Sequence, residues 1–564
     1  MAEIRWTPEQ VRAIRTEDDT LLVANAGTGK TTTVVGKIMW RLGLPFGVSE
    51  ETGEPIEPPA DPCGLDEIAA ITFTEKAAYD LKRQLRKQIE ASDRADDLRW
   101  EIDRASVGTI HSFCGELLRE HALRLGIDPT YEVLDEDSAW AEQDELIKAL
   151  LLERLEAEDP AAQALLRRWK LTGGERFRGA TDHVRDVLRD LRWRERRYAR
   201  WLQPALPPVE DGTLDLFEAH GRPGALDVPA VLAASPEREE KDEEALAICS
   251  QLLDVAREAR GRWNAWLEEE NQRDFDSLVL GAAELLAGVS GDAALAAIRD
   301  RYRMLIIDEF QDTDFTQRDI AFAIARGTDR PQLFLVGDPK QSIYRFRGAD
   351  ISVWNDVAAD FAEEGEVLDL SRNFRSAPPI VDFVNVVSGA SMKETGDALA
   401  EERLPSRIGY TDLVAGIPDH SETGVDWIGV EGRTVDARRE AEAVRIASWI
   451  LQARDRVEIR DPDTGSLRPL AFRDIALLYR SRGGLTDRAG LLGSSNFTKN
   501  GLGGSQRPNL EINLTIPDET TLVELRAWFD NLWEDERRTQ DVKQDVLNAL
   551  DRLGKEYSPE FVYF

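Results

Sequence analysis

The chain has 564 residues, well beyond the roughly 250 at which single cores stop growing, so two to four domains are expected and a small stapled scaffold is excluded. Apolar residues make up 42% and charged residues 31%, enough for packed cores and too much for wholesale disorder. The formal charge of −35, taken alone, disfavours a nucleic-acid partner, because phosphates follow summed positive potential.

The basic residues qualify that reading. Only 13 of the 71 are Lys and 58 are Arg, a bias that resembles proteins adapted to high internal salt. In such a solvent counterion release contributes little, and contact with a nucleic acid leans on stacking and hydrogen bonds. No run approaches the ~18 apolar residues a spanning helix needs, and Met1-Ala2-Glu3-Ile4-Arg5 lacks the regions of a signal peptide. A cytoplasmic protein with no membrane partner is expected. Cys63, Cys114 and Cys249 are widely spaced and form no CxxC knuckle, so they read as reduced packing residues.

In chain order, apolar runs bounded by turn residues predict strands at Thr20 to Ala24, Ile68 to Phe73, Met304 to Ile307 and Leu333 to Val336. They alternate with helical patterns, which predicts an α/β fold with a parallel sheet. Between about 115 and 295 the pattern turns helical, clearest at Ala139 to Leu155 and Ala180 to Leu202. This stretch reads as a helical insertion. Pro45 to Gly64 and Pro204 to Asp242 read as long exposed loops. The charge run Glu237 to Glu244 reads as solvated surface.

The strand Leu21-Leu22-Val23 runs into Ala24-Asn25-Ala26-Gly27-Thr28-Gly29-Lys30-Thr31 and then a helical pattern from Thr32 to Leu42. This is a P-loop in its strand, loop, helix context, with Ala24 where the common pattern has Gly. Backbone N–H groups freed by the glycines can close around phosphate oxygens, Lys30 neutralises the β and γ charges, and the Thr31 hydroxyl is placed to ligate Mg²⁺. The candidate nucleotide-binding residues are Ala24, Asn25, Ala26, Gly27, Thr28, Gly29, Lys30, Thr31 and Thr32, with ATP as the cofactor. The partner carboxylates come from Met304-Leu305-Ile306-Ile307-Asp308-Glu309. Asp308 can hold the Mg²⁺ shell while Glu309 orients and deprotonates the attacking water.

Asp308-Glu309-Phe310-Gln311-Asp312-Thr313 resembles motif II of UvrD/Rep-type superfamily 1 DNA helicases, and other motifs follow in that family's order. Thr7-Pro8-Glu9-Gln10 resembles the adenine-reading Q motif, Thr72-Phe73-Thr74-Glu75-Lys76-Ala77-Ala78 motif Ia, and Gly108-Thr109-Ile110-His111-Ser112-Phe113 the next strand-contacting motif. Val336 to Ala349, containing Gly337-Asp338-Pro339-Lys340-Gln341, is similar to motif III, and Leu370-Ser371-Arg372-Asn373-Phe374-Arg375-Ser376 to motif IV. Motif Ia and Arg439-Glu440-Ala441-Glu442-Ala443 lean toward the RecB/AddA-like branch. The resemblance implies that Gln10 contacts the base, that Gln341 senses the γ-phosphate, and that Arg375 is an arginine finger from a second motor domain.

Aromatic faces hold unspecific single strands, and Phe73, His111, Phe113, Tyr344 and Phe346 follow predicted strands. With Thr72, Thr74, Thr109 and Arg347 they form the expected strand-contacting surface, although Phe113 and Tyr344 are as compatible with a core position. Phe346 stands where relatives often carry Trp.

The expected organisation is a RecA-like domain from 1–110 and 295–366, a helical insertion at 111–294, and a partial second RecA-like domain at 367–482. Its early strand is read in Phe472 to Arg482, around Ile475-Ala476-Leu477-Leu478-Tyr479. Motifs V and VI do not appear. Beyond, at 483–564, Leu491 to Leu502, with Gly493-Ser494-Ser495-Asn496, resembles a fragment of a phospholipase D-like domain. The five histidines, His111, His121, His183, His220 and His420, all precede it, so it has no nucleophile. A gene fusion near Arg482 and a misassembled sequence both fit this change of character.

The expectation is an ATP-dependent, Mg²⁺-requiring 3′ to 5′ helicase or translocase. It would act on single-stranded or partly duplex DNA in repair or recombination, together with a nuclease or recombination partner. The alternative is a nucleotide-gated strand-binding ATPase that does not unwind.

Overall fold

The computed structural model describes residues 4–189, 240–344, 348–397, 408–417 and 424–477, less 45, 93, 99, 103–104, 175–176, 288–290, 426–427, 455 and 462–465. Phe346, Arg347 and the whole of 483–564 lie outside the described residues. The chain divides into two compact units, 1–419 and 420–564.

The first unit is built on a six-stranded sheet. Its strands are β1 (Thr20–Ala24), β2 (Ile68–Thr72), β3 (Ser106–Thr109), β4 (Met304–Ile307), β5 (Gln332–Gly337) and β6 (Glu366–Leu370), in the order β6-β1-β5-β4-β2-β3. Every ladder is parallel. Parallel sheets are covered on both faces, which is why the central strands read as unbroken apolar runs. Alternate side chains separate into two cores. Leu21, Ile71, Leu305, Ile307 and Leu335 join Val279 and Val353 on one face. Leu22, Ala70, Ile306, Phe334 and Val336 join Val34, Ile38 and Leu85 on the other. The four strands expected from sequence are β1, β2, β4 and β5. The boundary expected at 366/367 falls inside β6, which is hydrogen-bonded to β1 and belongs to the same sheet.

Between Glu132–Val133 and Gln272–Arg273, which pair as short parallel strands, the chain forms a helical body with its own core. Glu136–Glu156, Pro160–Arg168, residues 180–189 and Glu240–Glu269 are helical. Ile147, Leu150, Leu165, Val184, Val255 and Ala259 pack together there. The expected loop Pro204 to Asp242 is described only at its end, where Glu240 already opens a helix. The other expected loop is anchored rather than free: Val48–Ser49 pairs with Arg5–Trp6, and Trp6 and Trp40 donate their indole N–H groups to the carbonyls of Phe46 and Glu57.

In the second unit, helix Val435–Arg454 precedes an antiparallel pair, Glu458–Arg460 with Leu467–Pro469. Arg468 binds Asp461 and Asp474. Phe472–Asp474 is a single 3₁₀ turn, and 475–477 have no strand partner among the described residues. The strand expected there is absent from its described part, because no ladder neighbour completes it.

One buried charge couples two helices that matter below. Lys37, on α2 (Lys30–Arg41), is wholly buried and donates to the carbonyls of Ile14 (3.2 Å) and Thr16, beside the C-terminus of α1 (Pro8–Arg15). The rings of Trp40 and Phe334 lie 4.8 and 5.4 Å from its nitrogen. Burial, with Arg41 nearby, lowers its pKa to about 7. A neutral amine still has two N–H donors for the two carbonyls. Between that value and 10.5 the unfolded chain binds the extra proton, so this group's contribution to stability rises with pH across the window. Urea unfolding should find the wild type gaining on Lys37→Met by up to about 1.4 kcal/mol per pH unit from about pH 7.5 to 9. Parallel curves would rule this out.

Candidate active site

The candidate residues gather at the C-terminal edge of the sheet, where parallel α/β sheets place their ligand crevices. β1 ends at Ala24, and Asn25 fixes the turn by donating both its backbone N–H (3.3 Å) and its Nδ2 (2.9 Å) to the Leu370 carbonyl. The Thr28 hydroxyl donates to the Asn25 carbonyl at 2.7 Å. Gly29, at φ +84°, is the N-cap of α2 and offers no side chain to its first N–H groups. Those amides, with Lys30, Thr31 and Thr32 in the first turn, form an anion-binding helix terminus.

Gln10 sits in a capping box with Thr7, accepting the Thr7 N–H at 3.1 Å, and its Nε2 donates to the Thr28 carbonyl at 3.2 Å. It therefore ties α1 to the P-loop. Motif IV closes on the same loop: Asn373 Nδ2 donates to Ala26 O (2.7 Å) and Phe374 N–H to Gly27 O (2.8 Å). A Cβ on Gly27, which has φ +74°, would lie 2.7 Å from Asn373 Nδ2, so this close approach requires glycine.

Across the loop, β4 ends at Asp308 and Glu309. Lys30 Nζ lies 2.5 Å from Glu309 Oε2. Glu309 is a non-glycine residue in the left-handed region, φ 55° and ψ 40°, a backbone cost that functional sites commonly carry. Asp308 accepts the Glu309 N–H at 2.9 Å and is nearly closed off. Burial and the adjacent Glu309 push its pKa up to about 6, against the opposing pull of Lys30. Asp312 is raised to about 6 by the same causes, and its buried Oδ1 has no partner. Such carboxylates fit a divalent cation, whose charge would offset their burial. The hard oxygens of Thr31 and Asp308 suit Mg²⁺, which takes one or two protein ligands plus phosphate oxygens. Among the described residues no cluster of three His, Cys, Asp or Glu residues forms a self-sufficient metal cage.

Gln341 donates to Asp338 Oδ2 at 2.7 Å. Arg375 is exposed, with its backbone N–H on Asn373 Oδ1 at 2.8 Å. Gln311, Asp312, Asp338 and Asn373 were not among the expected site residues. Each lies inside a motif, but Gln311 and Asp338 meet across 27 residues and Asn373 reaches Ala26 across 347, contacts that no local pattern announces, while Asp312 is brought into the site through Gln311.

The expected strand-contacting residues emerge from the same edge. Thr72 and Thr109 are register partners at the ends of β2 and β3. Both are buried, and Thr109 accepts the Ser112 N–H. Thr74 is exposed and caps the helix Glu75–Glu90. Phe73 and Tyr344 stack at 4.9 Å and 28°. His111 packs on Phe275 with its ring centroid 4.9 Å away, and burial lowers its pKa to about 4, so it stays neutral. Phe113 is a core residue. Two cavities of about 500 and 540 Å³ lie at the opposite edge, around Asp19 and Arg330, which pair with each other. They are remote from the P-loop.

A family model described as the UvrD/REP helicase N-terminal domain matches residues 6–362, from the strand before the Q motif to the helix before β6. The chain belongs to the UvrD/Rep helicase family. Within it, the RecB/AddA-like branch is supported by relatives named as the A-type subunit of an ATP-dependent helicase/nuclease. The chain is 26% identical to that of Exiguobacterium sibiricum over 85% of its own length and 48% of the relative's. It is 25% identical to those of Lactobacillus delbrueckii, over 85% and 48%, and Carboxydothermus hydrogenoformans, over 84% and 48%. The chain thus spans about half the length of the curated relatives it matches. No single helix among the described residues is long and apolar enough to cross a membrane.

Proposed function

We propose that this chain is the ATP-hydrolysing motor part of a DNA helicase or translocase of the helicase/nuclease type, moving 3′ to 5′ on single strands in repair or recombination. Single-stranded or partly duplex DNA is its polymer substrate, and a nuclease or recombination subunit its partner. Residues 1–131 and 274–370, which pack on the six-stranded sheet, would supply the first motor domain, the helical body between them the insertion, and 371–482 part of a second. The observation that carries the reading is the meeting of Lys30 with Glu309, beside Asp308, at an uncapped helix terminus.

The chemistry follows from those groups. The amides of 27–32 and Lys30 take the negative charge of the β- and γ-phosphates, and Gln10 sits beside the base. Mg²⁺, held by the Thr31 hydroxyl and the Asp308 carboxylate, would screen phosphate charge. Glu309 accepts a proton from water aligned on the γ-phosphorus, and Arg375 stabilises charge on the departing side. Gln341 reports the γ-phosphate to the loop bearing Tyr344.

ATP hydrolysis by the purified chain, with and without oligo-dT, tests the motor. Hydrolysis that DNA does not accelerate would count against it. Partial duplexes with 3′ or 5′ tails test polarity, which requires displacement from the 3′-tailed substrate. The same assays would reveal the alternative, a nucleotide-gated strand-binding ATPase, by ATP and DNA binding with little turnover and no displacement on either duplex. Base stacking is worth roughly 1–3 kcal/mol per base, so Phe73→Ala or Tyr344→Ala should weaken oligo-dT binding about 5- to 150-fold in fluorescence anisotropy. Unchanged binding would remove these rings from the strand surface.

A further inference from the structure

We propose that Gln311 is a positioning residue that ties the water-activating carboxylate to the motif III turn, so that one amide couples the triphosphate to the strand-contacting surface. The inference rests on the motor reading above.

Gln311 is almost wholly buried, and both ends of its amide are used. Its Nε2 donates to Glu309 Oε2 at 2.8 Å and to Asp312 Oδ2 at 3.3 Å, while its Oε1 accepts the backbone N–H of Asp338 at 2.9 Å. Asp338 in turn accepts from the Lys340 N–H (3.1 Å) and from Gln341 Nε2 (2.7 Å). Tyr344, three residues after Gln341, stacks on Phe73. An unbroken series of contacts and short backbone links therefore runs from Lys30 through Glu309, Gln311, Asp338 and the motif III turn to the aromatic pair.

The fold keeps room for this amide. β5 ends in Gly337, where a Cβ would come within 2.4 Å of Gln311 Oε1 and 2.8 Å of the Trp354 ring. Any side chain there would push the amide off Asp338.

An amide suits the place for an electrostatic reason. Glu309 Oε2 accepts from both Lys30 and Gln311. A triphosphate competes for Lys30, and when the ammonium turns to phosphate, Gln311 is the donor that still holds this oxygen. It does so without a positive charge. Glu309 is thus kept oriented after Lys30 has left it, as a general base requires. The same hydrogen bond carries any movement of Glu309 to the Asp338 amide and the turn beyond it.

The test compares wild type, Gln311→Met and Gln311→Glu in the full chain, by ATP turnover with and without oligo-dT, KM for ATP, and thermal unfolding. The Met variant fills a similar volume without hydrogen bonds. The Glu variant, nearly isosteric, keeps an acceptor for Asp338 but loses the donor to Glu309, and it decides the matter should the Met variant not fold. Both should lower DNA-stimulated kcat about tenfold or more. The ratio of stimulated to unstimulated rates should fall toward one, and KM should change less than about threefold, since Gln311 is not a phosphate ligand. A packing role alone predicts that the stimulation ratio survives in a folded variant, or that both rates fall in parallel. Either result overturns the proposal. A wild-type rate indifferent to DNA would instead overturn the motor reading, and it is seen before any variant is compared.

Discussion

Lys30→Ala is expected to reduce ATP turnover by about 10³-fold or more, and Glu309→Gln by about 10²- to 10⁴-fold, with opposite effects on nucleotide binding. Lys30 supplies positive charge where the β- and γ-phosphates would lie, so its loss weakens binding as well as turnover. Glu309 carries no phosphate contact in this scheme. In the structure it holds Lys30 at 2.5 Å, and neutralising it releases the ammonium toward the phosphates. Glu309→Gln should therefore bind a fluorescent ATP analogue as tightly as wild type or more so, while single-turnover phosphate release almost stops. Weaker binding by Glu309→Gln, or wild-type turnover by either variant, would remove this pair from the chemistry.

The parts of the fold legible in sequence are those with a local signature. Leu21-Leu22-Val23 and Met304 to Ile307 are apolar on both faces, as a doubly covered parallel sheet demands, and the P-loop follows its strand directly. β6 was missed because Glu366-Val367-Leu368-Asp369-Leu370 is neither an unbroken apolar run nor a strict alternation: Val367 is exposed and only Leu368 and Leu370 are buried, as on a half-exposed edge strand. Its partner β1 lies more than 340 residues earlier. The core position of Phe113 was undecidable because a helix entering at Thr109 turns His111 and Phe113 in different directions. The bridging amides were illegible for a stronger reason. Gln311 meets Asp338 across 27 residues and Asn373 meets Ala26 across 347. Hydrogen bonds over such separations leave no periodicity.

Arg375→Ala should lower kcat by about 10³- to 10⁵-fold, the range in which arginine fingers act, and Arg375→Lys should recover little of it, because an ammonium lacks the planar fork. The structure adds a condition on how this arginine is held. Asn373 accepts the N–H groups of both Arg375 (2.8 Å) and Ser376 (2.7 Å) on Oδ1 while donating to the Ala26 carbonyl at 2.7 Å. One buried amide therefore sets the arginine's backbone and docks it on the P-loop. Asn373→Ala strands those partners, at roughly 1–3 kcal/mol for each group that water cannot reach. It should cost kcat heavily while leaving α2 and Lys30 in place. Asn373→Asp separates the two duties, since a carboxylate still accepts from 375 and 376 but cannot donate to Ala26 and instead faces its carbonyl oxygen. If docking on the P-loop is what aims the arginine, the Asp variant should fall nearly as far as the Ala variant in kcat. If forming the turn suffices, it should stay near wild type. Nucleotide affinity by fluorescence titration, alongside kcat for all four variants, distinguishes these outcomes, and near-normal turnover by Arg375→Ala would remove the finger altogether.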